Sequence, residues 1–174
     1  MRPVSDAFLL QVAEISATLI GLFLVGLFFF IETGFRRLEE RARDVMEPYF
    51  KASTRIILLL YAIPLFLSLT LVVLSPVWNR VFFLLFSLLL VAANVDTLVR
   101  VLPLARTTRS LVMLGNELIG TVAVVALVLV PWILGGLHPS REDLTWAILL
   151  SLGAGFLSVC TVALAVFDTA RNET

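Results

Sequence analysis

Very little of this chain is suited to chemistry. It has one cysteine, Cys160, and one histidine, His138. A single cysteine excludes a disulfide within the chain, and the pair leaves a His/Cys metal site short of ligands. Charge is scarce too, with 15% of residues charged against about a quarter in a soluble domain. The 13 basic and 13 acidic residues cancel, so no basic surplus points to nucleic acid. Lysine is almost missing, because Lys51 is the only one among the basic residues; such an arginine bias fits a GC-rich bacterial genome. There is no Gly-x-Ser-x-Gly elbow, no H-E-x-x-H helix and no glycine-rich phosphate loop. The reading is of a protein that is not an enzyme and holds no cofactor or metal.

What is abundant is apolar length. Hydrophobic residues make up 60% of the chain, and the mean hydropathy is +1.02. A helix needs about 20 mostly apolar residues to cross a bilayer. Five stretches meet that, at about 7–31, 56–75, 81–104, 111–135 and 146–167. None alternates in polarity as a barrel strand would. The first is too long for a cleaved signal sequence, and its basic residues follow it instead of preceding it. The fold class is therefore all-α: a polytopic integral membrane bundle of five helices forming a single domain over 1–174.

Basic residues favour the cytoplasmic side of short loops. The first connection has Arg36, Arg37, Arg41, Arg43, Lys51 and Arg55, the third has Arg100, Arg106 and Arg109, and the tail has Arg171. The other side has Arg2, Arg80 and Arg141. Ten against three places the amino terminus outside and the carboxyl terminus in the cytoplasm, in a bacterial-type inner membrane. Trp78, Trp132 and Trp146 fall at the expected outer boundaries, where indole rings sit among headgroups. Ser140 and Asp143 form a capping pair for the fifth helix. Residues 34–55 read as an amphipathic cytoplasmic extension of the first helix, with Arg36/Glu40 and Glu39/Arg43 at i,i+4 spacing. Pro48 is expected to end or kink that extension. Its apolar residues could meet the membrane surface or a protein partner, although alternating charge on a helix more often marks a solvated face.

The informative residues are polar ones inside the spans. Glu14 lies in the first, Asp96 in the third and Glu117 in the fourth. A charge at the centre of a membrane helix costs about 2.5–3.5 kcal/mol on insertion scales, so such groups face protein or water. Gln11, Glu14, Thr18 and Gly21 share one face of the first helix, beside a small-residue row of Ala13, Ala17 and Gly21 that suits close helix packing. This face is expected to be buried in protein, within one subunit or between two. Asp96 and Glu117 are equidistant from the turn at Arg106–Thr107, with Asn94 and Asn116 nearby. At 1.5 Å per residue each would sit roughly 10 Å inside the cytoplasmic edge. Two carboxylates there would share a proton, hold a cation or take a positive partner, for which Arg100 is the nearest candidate.

"AEISAT" at 13–18 and "NELIGT" at 116–121 match at Glu14/Glu117, Ala17/Gly120 and Thr18/Thr121. An inverted repeat of this kind often frames a transport site, yet three matching positions are weak support and five spans cannot make two equal halves. Ser151, Gly155 and Ser158 line one side of the fifth span for packing, and Pro64 frees a backbone carbonyl in the second. Two functions follow. In one, copies of the chain assemble into a cation or proton channel, or a small proton-coupled carrier, using these carboxylates. In the other, the chain is a membrane scaffold or regulatory subunit whose acids and Arg100 fix helix packing.

Overall fold

The structure is a computed structural model that describes the backbone of residues 4–34, 40–108 and 111–172; side chains at 33–46, 48–49, 100–117 and 164–172 lie outside the described residues. Among the described residues there are five α-helices: α1 (Asp6–Phe29), α2 (Glu40–Val73), α3 (Pro76–Thr108), α4 (Leu111–Gly135) and α5 (Arg141–Asn172). No strand occurs among the described residues. Each helix contains a stretch long and apolar enough to cross a membrane, the architecture of a multi-pass membrane protein.

Local chemistry sets the helix ends. Ser5 caps α1 by accepting a hydrogen bond from the Phe8 amide at 3.2 Å, which satisfies one orphan donor of the first turn. The Ser140–Asp143 pair caps α5 as the sequence suggests. Asp143 donates its amide to Ser140 Oγ at 3.3 Å, and its carboxylate accepts from the Ser140 amide at 2.8 Å. Gly136 closes α4 at φ 60, a left-handed turn that glycine enters without a Cβ penalty.

The connector between α1 and α2 differs from the sequence reading. After Phe29 the first helix widens into a π-turn, Phe30–Gly34, and residues 40–55 belong to the start of α2, not to an extension of α1. The helix runs through Pro48. Proline removes one backbone hydrogen bond, and near a helix end water can serve the carbonyl left free. No breaker separates Pro48 from the apolar run that follows, so the connector propagates as part of the second span.

α2 is the central helix. It packs against α1, α3 and α5, whereas α4 leans mainly on α5 and only lightly on α3. The larger core joins Leu9 and Val12 of α1 with Leu60, Ile63, Leu67 and Leu71 of α2, Phe83 and Leu90 of α3, Leu127 of α4 and Ile148 of α5. A smaller one gathers Ile57, Tyr61 and Val162. The centre of the bundle is thus filled mainly with aliphatic and aromatic side chains.

The proline signal is borne out in detail. Pro64 has no N–H, so the Leu60 carbonyl loses its helical donor. Ser151 of α5 donates its hydroxyl to that carbonyl at 2.5 Å, with both residues buried. One turn further on, Gly155 lets the Tyr61 ring lie against the α5 backbone; a Cβ at Gly155 would stand 2.8 Å from Tyr61 Cε1. The small-residue face of α5 is the surface that receives α2.

Candidate functional site

Two groups of polar side chains merit description, one at an end of the bundle and one along α1. The first is an ion pair. Arg55 of α2 donates from Nη1 to Asp96 Oδ2 of α3 at 3.3 Å. The pair is open to its surroundings, with side-chain exposures of 65% and 37%. Beside it Asn94 and Thr97 are buried, and Thr97 donates its hydroxyl to the Ala93 carbonyl at 2.8 Å. The cation shown beside Asp96 is therefore on α2. The side chains of Arg100, Asn116 and Glu117 lie outside the described residues.

Helix length changes the depth assigned to this pair. Asp96 lies twenty positions after Pro76, about 30 Å along the axis, which equals the hydrocarbon thickness. α3 then continues to Thr108, so residues 106–107 are helical and not the turn that the sequence suggests. By the same measure the Glu117 backbone is about 27 Å from Gly135, the far end of α4. Both acids fall at the ends of apolar stretches, Asp96 near the end of Pro76–Val99 and Glu117 just before Leu118–Gly135.

Glu14 is placed differently. It lies eight positions after Asp6, roughly 12 Å along α1. The level of Asp6 is marked by a polar belt. Asp6 pairs with Arg141 of α5, and the Arg80 guanidinium of α3 lies 2.9 Å from His138 Nδ1 in the loop after α4. Glu14 is well below this belt, within the apolar stretch.

Glu14 is also exposed, as are Gln11, Thr18 and Gly21. The buried face of α1 is Leu9, Val12, Ala13 and Ser16, turned to α2. Positions two apart on a helix lie about 200° round the axis, so Gln11 and Glu14 are opposite Leu9 and Val12. The row of Ala13, Ala17 and Gly21 splits between the faces, with Ala13 buried and the other two exposed. Each four-residue step drifts about 40°, which carries the row away from α2. Burial of the Glu14 face within the subunit is thereby ruled out.

Two hydroxyls of α1 bond back to carbonyls of their own helix. Thr18 donates its hydroxyl to the Glu14 carbonyl at 2.9 Å, and Ser16 donates to the Val12 carbonyl at 2.7 Å. Thr121 of α4 is half-buried. No group of three His, Cys, Asp or Glu able to hold a metal ion occurs among the described residues. The pairing of Arg80 with His138 and of Arg55 with Asp96 has no local sequence signal, since the partners are 58 and 41 residues apart.

Compared with known proteins, the chain matches no family model, no curated protein and no solved structure. The class it belongs to rests on its architecture alone: a five-helix, membrane-spanning bundle.

Proposed function

We propose that this chain assembles with copies of itself into a pathway for small cations or protons, in which Glu14 supplies the ionisable group. The observation that carries this reading is the placement of Glu14, outward on α1 and below the polar belt, in a bundle whose centre is packed with Leu, Ile and Phe side chains. A route through one subunit would have to cross that core. A route between subunits would meet the Gln11–Glu14–Thr18 face. Acidic side chains arranged about a symmetry axis select cations. Asp96 contributes less than the sequence suggests, because Arg55 offsets its charge.

The setting proposed is a bacterial inner membrane, amino terminus outside and carboxyl terminus in the cytoplasm, with residues 34–55 open to a protein partner. Purified protein in liposomes should pass protons or monovalent cations, and Glu14→Gln should lower the rate at least tenfold. Absence of flux from the wild type, or equal flux from the variant, would overturn the reading. Glu117→Gln tests whether a second acid takes part.

One observation favours the scaffold reading. The Arg55–Asp96 pair joins α2 to α3 near the end of the spans, where a fixed helix pair could present the start of α2 to another protein. Co-purification of a second protein without ion leakage would support it.

A further inference from the structure

The surface of the bundle within the spans is apolar almost everywhere. Asp6 and Glu32 mark the limits of the first span, and Lys51 and Arg55 pair with Glu47 and Asp96 near the start of the second. With those set aside, the exposed polar side chains among the described residues of the five spans are three: Gln11, Glu14 and Thr18. All three are on α1 and share one face. The exposed side chains of α3, α4 and α5 within their spans are aliphatic or aromatic.

α1 packs chiefly on α2, and its Asp6 reaches Arg141 of α5. Its polar face points away from α2, and no described residue of another helix buries it. Acyl chains cannot hydrogen-bond to a carboxyl group or an amide, and an unmatched polar group in hydrocarbon costs several kcal/mol. The occupant must therefore bring polar side chains to the same depth.

We infer that the occupant is a second copy of this chain, docked along α1 by a two-fold axis parallel to the membrane normal. Such an axis puts each residue opposite itself at equal depth, and the α1 face suits that arrangement. Gln11 carries both donors and an acceptor, so two amides can bond to each other or to the opposite Glu14. Two Glu14 side chains brought face to face can each accept from the opposite Gln11 amide. The Thr18 proton is held by the Glu14 carbonyl, which leaves its oxygen to accept. Ala17 and Gly21 supply the small surface that lets backbones approach; a Cβ at Gly21 would meet no atom within 4 Å in the single chain. The docking rests on the same outward placement of Glu14 as the permeation reading, but does not require flux.

The test uses full-length protein carrying Cys160→Ser, reconstituted at low protein-to-lipid ratio. Thr18→Cys places a thiol on the proposed axis, and Leu88→Cys places one on the exposed surface of α3 (Leu88 is 68% exposed). Oxidation with iodine should convert most of the Thr18→Cys protein to a disulfide-linked dimer and leave the Leu88→Cys protein monomeric. Without cross-linking, Gly21→Leu and Glu14→Leu should each weaken association at least tenfold by analytical ultracentrifugation in detergent, while Glu14→Gln keeps the dimer. A monomeric wild type, equal cross-linking at both positions, or a dimer indifferent to Gly21→Leu and Glu14→Leu overturns the docking. So does association that appears only with a different protein. Flux from an assembly that neither cross-links at Thr18→Cys nor responds to Gly21→Leu would refute the docking and spare permeation; a dimer without flux would do the reverse.

Discussion

α1 and α2 are both apolar enough to cross a membrane, but they solve the problem of polar groups in opposite ways. In α2, 44% of the most apolar stretch is buried inside the bundle, against 6% in α1. The break that Pro64 makes in α2 is closed from within the chain by Ser151. On α1 the equivalent need, a carboxyl group below the polar belt, meets no partner among the described residues of the neighbouring helices, because its face points outward. A polar group answered internally marks where a subunit is held together. One turned outward marks where the subunit meets something else. Substitutions on α2 and α5 should therefore change the stability of one chain, and substitutions on the α1 face should change what the chain does.

The largest stability effect is expected at the α2–α5 seam. Gly155→Leu puts side-chain atoms where the Tyr61 ring already lies, with even the Cβ inside contact distance. Overpacking of this kind costs about 3 kcal/mol, which should appear as a clear drop in the thermal unfolding midpoint in detergent. Ser151→Ala comes next. It leaves the Leu60 carbonyl buried and unmatched, at about 1–2 kcal/mol. A double-mutant cycle makes the cause specific: Pro64→Ala restores the helical N–H, so Ser151→Ala should cost distinctly less in that background. An equal cost in both backgrounds would show that the hydroxyl serves something other than the proline break.

The five spans were legible because hydrocarbon thickness demands a length of apolar chain that few other structures need. The Ser140–Asp143 cap and the freed carbonyl at Pro64 were legible because each follows from local covalent chemistry. Helix ends beyond the spans were not. Nothing in the composition of 40–55 says whether it joins the helix before or after it, and only the unbroken run of α2 through Pro48 assigns it to the second. The direction of the Glu14 face was also hidden. Leu9, Val12 and Ser16 on one side and Gln11, Glu14 and Thr18 on the other both have helical spacing, and only the packing of α2 chooses between them. The partner shown beside Asp96, Arg55, escaped the reading because residues 41 positions apart meet only through the α2–α3 fold.

A smaller effect is expected at that ion pair. Arg55 and Asp96 are exposed enough for solvent and headgroups to screen them, and pairs of this sort contribute up to about 1 kcal/mol. Asp96→Asn should lower the unfolding midpoint only slightly, and less at high salt. A loss comparable to that of Gly155→Leu would mean that Asp96 serves a more demanding network than the pair with Arg55.

The smallest effect on the isolated chain is expected at Glu14, and that small effect separates the two helices most sharply. Glu14→Gln removes an ionisable group without changing its size or its capacity to hydrogen-bond, on a face that α2 does not touch. Exposed substitutions away from caps and cores stay within about 0.5 kcal/mol, so unfolding of monomeric protein in detergent should be unchanged within error. Flux should nevertheless fall, because a carboxamide cannot bind and release a proton or carry the charge that attracts a cation. The scaffold reading anticipates the opposite split, with lost stability or altered assembly and no flux to lose. Measured side by side on one preparation, unfolding and flux of Glu14→Gln therefore decide whether the acid on α1 belongs to packing or to passage.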